Sequence, residues 1–167
     1  MVVWIIGLSG SGKTTLAEEV YRQSKKKNKA LFFLDGDVIR EVFNHDLGHE
    51  LEDRRINASR MSQLSKYLDD QGISVVCSIL SIFQSTRDWN RENINNYYEV
   101  FIDSDIEDLR KRDVKGIYKA FSEGKINNVA GEDIKFMKPK YPDLVIENNQ
   151  SLEYLLSFSD QIAEKLI

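Results

Sequence analysis

A three-layer α/β sandwich around a five-stranded parallel sheet is predicted by three observations. Five short apolar runs are spread along the chain, at residues 2–6, 30–34, 74–80, 98–102 and 144–146. Amphipathic helical patterns lie between and after them, and a glycine-rich turn follows the first run. Strands that alternate with helices pair in parallel and are covered on both faces. At 167 residues the chain is long enough to bury one core, so one domain over 1–167 is expected.

The first run passes directly into GLSGSGKTT, residues 7–15. Beyond it Leu16, Ala17 and Val20 recur at helical spacing, with Glu18, Glu19 and Arg22 among them. The turn therefore joins a strand to a helix. That is the context of the G-x-x-x-x-G-K-[ST] phosphate loop, and it makes the sandwich a P-loop NTPase-type fold. At average residue usage the four fixed positions match by chance at roughly one start site in tens of thousands, so a plain Gly/Ser turn is a poor account of them. The candidate ATP-binding set is Gly7, Leu8, Ser9, Gly10, Ser11, Gly12, Lys13, Thr14 and Thr15. Their N–H groups and the helix N-terminus suit anionic oxygens. Lys13 is expected to reach the β- and γ-phosphates, and the Thr14 hydroxyl to bind Mg²⁺. Lys25–Lys27 with Lys29 reads as a solvated basic helix end.

The second run ends FFLDGD, which puts Asp35 at the C-terminal edge of the sheet, where ligands of such folds bind. Asp35 can help hold Mg²⁺ or accept a proton from an attacking hydroxyl. Gly36 suggests a tight turn, Asp37 an N-cap, and Arg40 lies one turn into the next helix. Met61, Leu64 and Leu68 share a helix face. Cys77, the single cysteine, sits in an apolar run as a small core residue and excludes an internal disulfide. Residues 119–141 break the pattern: the stretch is polar, lysine-rich and irregular, which suits a lid beside a phosphate site. Ser151 is placed to cap a last helix whose stripe is Leu152, Leu155, Ile162 and Leu166.

The composition is 41% hydrophobic and 30% charged, with a net charge of −4, which speaks against a general nucleic-acid or membrane-surface binder. The apolar start is too short for a signal peptide, so a cytoplasmic protein is expected.

With these motifs in view the chain resembles the adenylylsulfate kinases, P-loop kinases that phosphorylate the ribose 3′-hydroxyl of adenosine 5′-phosphosulfate with ATP. The resemblance rests on GLSGSGKTT, LDGDVIR (34–40), EDRRIN (52–57), Ser81 with Arg87 and Arg91 beyond it, KRDVKGIYKA (111–120) and YPDLVI (141–146). It implies a small nucleotide substrate, with ATP and Mg²⁺ as donor and metal, and a homodimer. It also implies that Lys13, Asp35 and Ser81 serve catalysis, that Thr14 and Asp35 hold the metal, and that Asp37, Arg40, Arg54, Asn57 and Lys115 engage the substrate. A phosphoserine at Ser81 is not needed for this, because direct in-line transfer explains the residues more simply.

Three positions depart from the family. Its two phenylalanines, which clamp the acceptor's adenine, are replaced by His49 and Val129, and Ile82 stands where proline is usual. A base–aromatic stack is worth about 1–3 kcal/mol, so the loss of two suggests the same reaction on another nucleotide. A branch of the family found with bacterial capsule genes acts on cytidine diphosphoramidate, and the segment 85–102 is similar to that branch. The reading leans to that acceptor, with adenylylsulfate as the alternative. A nucleotide-dependent switch is the second alternative, although no guanine-reading N-K-x-D motif is present. Transfer to water is a further one, against which a closing lid argues.

Overall fold

The computed structural model describes residues 1–167. Five strands, β1 (Val2–Ile6), β2 (Leu31–Asp35), β3 (Ser74–Ile79), β4 (Tyr97–Asp103) and β5 (Leu144–Glu147), form one sheet in the order β2-β3-β1-β4-β5. Every pairing is parallel. The five expected strands are all present. The main shift is at β2, which extends to include Asp35.

Side chains of a strand alternate between faces, and both faces here are apolar. Val3, Ile5, Val76 and Val100 point to one layer, where Leu16, Ala17 and Val20 of α1 (Lys13–Ser24) meet Leu155 of α7 (Leu152–Leu156) and Ile162 of α8 (Ser159–Ala163). Val2, Trp4, Ile6 and Cys77 point to the other. There they meet Ile39 of α2 (Gly36–Val42) and Met61 of α3 (Leu51–Asp70), beside Ile94 just beyond α4 (Gln84–Asn93). The three layers of the predicted sandwich are thereby in place.

Some local expectations change. The last helical stripe is not one helix: it breaks at Ser157, whose hydroxyl donates to Tyr154 O, and Leu152 stays exposed. Ser151 does cap α7, accepting from Tyr154 N. Lys25 is more than a solvated helix end, because its Nζ donates to the carbonyls of Lys29 and Leu31. On α3, Met61 is buried and Leu64 and Leu68 pack partly against the same core, but Ser62 and Ser65 are buried with them.

The chain between β4 and β5 carries α5 (Ile106–Arg112) and α6 (Ile117–Ser122) and then runs irregularly to β5. Part of the stretch 119–141 is therefore helical. The rest is largely exposed and packs on the body at a few points. Ala130 and Ile134 bury against Ile82, Arg110 pairs with Glu132 at 2.7 Å, and Arg87 donates to Met137 O.

Candidate functional site

All the ends of parallel strands that matter here point one way. A cavity of about 720 Å³ opens there, above the C-terminal edges of β2 and β3 and beside the phosphate loop.

At one end lies the glycine-rich turn. Gly10 and Gly12 take φ of 76° and 89°, a left-handed backbone that side-chain-bearing residues rarely adopt. A Cβ at Gly12 would also collide with Leu155. Gly12 is the N-cap of α1 and no side chain caps that helix, so its first N–H groups stay available for an anion. Lys13 Nζ rests on Leu8 O at 3.2 Å. Crowding at the loop, with the cation of Lys115 beyond it, lowers the Lys13 ammonium to about 8. The side chain keeps some surface open to the cavity, so solvent moderates this effect.

Asp35 sits where β2 becomes α2. Its Oδ1 accepts from Asp37 N at 2.9 Å and Val38 N at 3.4 Å. Asp35, not Asp37, is thus the N-cap of α2. Gly36 is the first helical residue with no left-handed φ, so it makes no special turn. The other oxygen, Oδ2, accepts from Thr14 Oγ1 at 3.1 Å, and Thr14 Oγ1 lies 3.2 Å from Ser78 Oγ. These two side-chain oxygens could hold Mg²⁺, an ion that takes one or two protein ligands and fills the rest with phosphate and water. No group of three acidic, histidine or cysteine side chains competes with that arrangement.

Asp37 and Lys115 form an ion pair at 2.7 Å across the cavity mouth. Burial raises the Asp37 carboxyl, but Lys115, Lys13 and Arg40 outweigh it and hold it below its ordinary value. Arg40 donates to Gly48 O at 2.7 Å, and Arg54 to His49 O and Asn128 O at 2.9 and 2.7 Å. Both guanidiniums are therefore positioned by backbone, with further N–H groups left for an anion. Asn57 is buried, donates to Gly36 O, and has an Oδ1 without a partner, an acceptor suited to a hydroxyl. His49 lies at the far end; burial and then the cations of Arg40 and Arg54 lower its pKa, so it favours the neutral ring.

Two expected residues are placed differently. Val129 touches the cavity but is 5% exposed and packs against Leu109 and Tyr118, so it offers the cavity little surface. Ser81 is buried with φ 49°, and its Oγ accepts from Trp4 Nε1 at 3.2 Å while its carbonyl accepts from Arg87. That hydroxyl is part of a buried network.

Sequence reasoning gave no role to Tyr118 or Asp113. The Tyr118 hydroxyl donates to Ser9 O at 2.9 Å, fastening the phosphate loop to α6. Asp113 accepts from Tyr118 N and Lys119 N and so starts that helix. Both lie within KRDVKGIYKA (111–120), but no local pattern shows a contact spanning more than a hundred residues.

Comparison with known proteins identifies the family. The model of the adenylylsulphate kinase family matches residues 1–147. Cytidine diphosphoramidate kinase of Campylobacter jejuni is 40% identical over 148 residues, covering 89% of this chain and 86% of that protein. Adenylyl-sulfate kinase of Halothermothrix orenii is 39% identical over 150 residues, covering 90% and 81%. Among solved structures, the Mycobacterium tuberculosis APS kinase in complex with AMPPNP and APS superposes with a TM-score of 0.87 at 32% identity, over 99% of this chain and 96% of that one. The family match, these identities and the shared fold together show that the chain belongs to the adenylylsulphate kinase family and is a kinase that phosphorylates a hydroxyl group.

Proposed function

We propose that this kinase transfers the γ-phosphate of ATP to the ribose 3′-hydroxyl of a small modified nucleotide, with cytidine diphosphoramidate favoured over adenylylsulfate. The observation that carries the choice is the acceptor end of the cavity. His49 and the inward-packed Val129 stand there where the family resemblance implies two aromatic rings, while Lys13, Thr14 and Asp35 line the donor end. A pyrimidine needs less stacking surface than a purine. The identities of 40% and 39% to the two kinds of relative do not themselves separate the acceptors.

In this reading the phosphate loop and Lys13 hold the donor's β- and γ-phosphates. Arg40 and Arg54 hold the acceptor's anionic end, and Asn57 Oδ1 its ribose. Asp35 orients the 3′-hydroxyl in line with the γ-phosphorus. As O3′ bonds to that phosphorus, the bond to the β–γ bridging oxygen breaks, ADP leaves, and the hydroxyl proton passes to the Asp35 carboxylate. Thr14 and Asp35 would hold Mg²⁺, which would supply positive charge to the phosphate oxygens. Ser81 acts by shaping the cavity floor and takes no phosphoryl group.

The test is ADP release with ATP and a panel of acceptors, compared by kcat/KM. Cytidine diphosphoramidate is expected to be the better substrate. Adenylylsulfate turned over at least as efficiently as every pyrimidine analogue would overturn that preference and leave an adenylylsulfate kinase.

A further inference from the structure

The rim of the cavity beyond His49 holds two polar residues that neither the phosphates nor the ribose would use, Glu50 and Asn128. They come from distant parts of the chain. Glu50 is the N-cap residue of α3, and Asn128 lies in the irregular stretch between α6 and β5. Asn128 Nδ2 donates to Glu50 Oε1 at 2.8 Å. A carboxylate only accepts, so this contact fixes which end of the amide faces it.

The pair is held from below. Asn128 has φ 62°, a conformation that asparagine tolerates better than most residues. Its N–H donates to Asp133 Oδ2 at 2.7 Å and its carbonyl accepts from Arg54 at 2.7 Å. Arg54 also grips His49 O, so the base-side rim and the anion-binding arginine form one unit.

The exposed chemistry of this unit is a donor next to an acceptor. The second hydrogen of Asn128 Nδ2 has only Asn127 Oδ1 at 3.3 Å as a partner. The Glu50 carboxylate also accepts the Asp53 backbone N–H in a capping box, and of its roughly four lone-pair sites some stay free beyond these two contacts. A ring nitrogen acceptor beside an exocyclic amino group is the complement of that pattern. Cytosine presents it with N3 and the 4-amino group, and adenine with N1 and the 6-amino group. With the ring held in the same register by the ribose and the arginines, uracil and guanine present the inverse, a ring N–H beside a carbonyl oxygen, which would set N–H against N–H and oxygen against carboxylate.

We propose that Glu50 and Asn128 form a base-reading pair that admits a nucleotide with an amino-bearing edge and rejects one with an oxo edge. This rests on the acceptor being a nucleotide but not on whether its base is cytosine or adenine. The stacking surface selects ring size; the pair selects amino over oxo.

The test compares cytidine diphosphoramidate with uridine diphosphoramidate, and includes adenylylsulfate, in the wild type, Glu50→Gln and Asn128→Gly. Gln can turn its amide to present a donor, and Gly keeps the left-handed backbone while removing only the side chain. The wild type is expected to favour the cytidine over the uridine compound in kcat/KM, by about tenfold or more. Both variants should reduce that ratio at least about threefold, mainly through the acceptor's KM, with the KM for ATP little moved. A lower Tm with an unchanged ratio would mean that Glu50 only caps α3, and would overturn the pair. Equal wild-type use of the two compounds would overturn it as well. Turnover of no nucleotide in the panel would instead overturn the proposed function, and the pair's role with it.

Discussion

At the donor end of the cavity the backbone makes the site. At the acceptor end side chains make it, and they are held by contacts between distant segments. Gly10 and Gly12 set the donor turn through their own φ angles and the first N–H groups of α1 follow from where the helix starts, although Tyr118 and Asn148 brace the finished loop from 109 and 137 positions away. The acceptor rim depends on Arg54 reaching Asn128 O across 74 positions of sequence, and on Lys115 reaching Asp37 across 78. A site made by local backbone keeps its chemistry as surface residues change. A site made by long-range side-chain contacts can be altered by a few substitutions, so one reaction can pass to different acceptors.

That contrast is open to direct attack, first at the donor end. Lys13→Ala should lower kcat at the top of the roughly 10²–10³-fold range seen when a group stabilising transition-state charge is removed. Circular dichroism should show the fold retained, because the loop's shape comes from its glycines. Near-normal turnover by the folded variant would break the assignment.

Asp35→Asn sits where the two ends meet and should cost about 10²-fold in kcat. Asparagine caps a helix as well as aspartate does, so α2 should persist. The affinity for an ATP analogue should change much less than kcat. Equal losses in both would make Asp35 a structural residue.

At the acceptor end, His49→Phe should raise the preference for adenylylsulfate by about tenfold, through one recovered stack. Val129→Phe is not an equivalent change. Val129 is buried against Leu109 and Tyr118, and the larger ring is expected to destabilise the fold by about 1–3 kcal/mol, read as a lower Tm. If Val129→Phe instead matches His49→Phe in specificity without loss of Tm, this segment is more adaptable than its packing suggests.

The smallest effect is protonic. Lys13 is lowered to about 8 in the folded protein against 10.5 ordinarily. Between those values the unfolded chain binds more protons, so stability without ligand should rise as pH increases from about 8 towards 10.5. A donor phosphate should favour the charged ammonium, so nucleotide binding above pH 8 should take up protons. Calorimetry in buffers of different ionisation enthalpy measures that uptake, and Lys13→Met should remove it.

How much of this was readable beforehand follows the same division. The strands were legible because both faces of a parallel sheet are buried and its strands are continuously apolar. The phosphate loop was legible because one short segment carries strand, turn and helix start. Asp35 is visible as a polar residue ending an apolar run, but the spacing points to Asp37 as the cap of α2, since the two differ only in where the helix begins. The expected break-free last helix failed because the serine bonds at Ser157 and Ser159 compete with helix continuation.

By itself, then, the sequence determined the layer architecture, the position of the phosphate loop and the strand-end carboxylate, all consequences of local backbone preference and hydrophobic period. Only the tertiary structure decided which way Val129 faces, that the Ser81 hydroxyl is held by Trp4, that Tyr118 fastens the phosphate loop, and that Glu50 meets Asn128. Each of these is set by packing or a hydrogen bond between segments far apart in the chain, and residue spacing along one segment carries no record of such contacts.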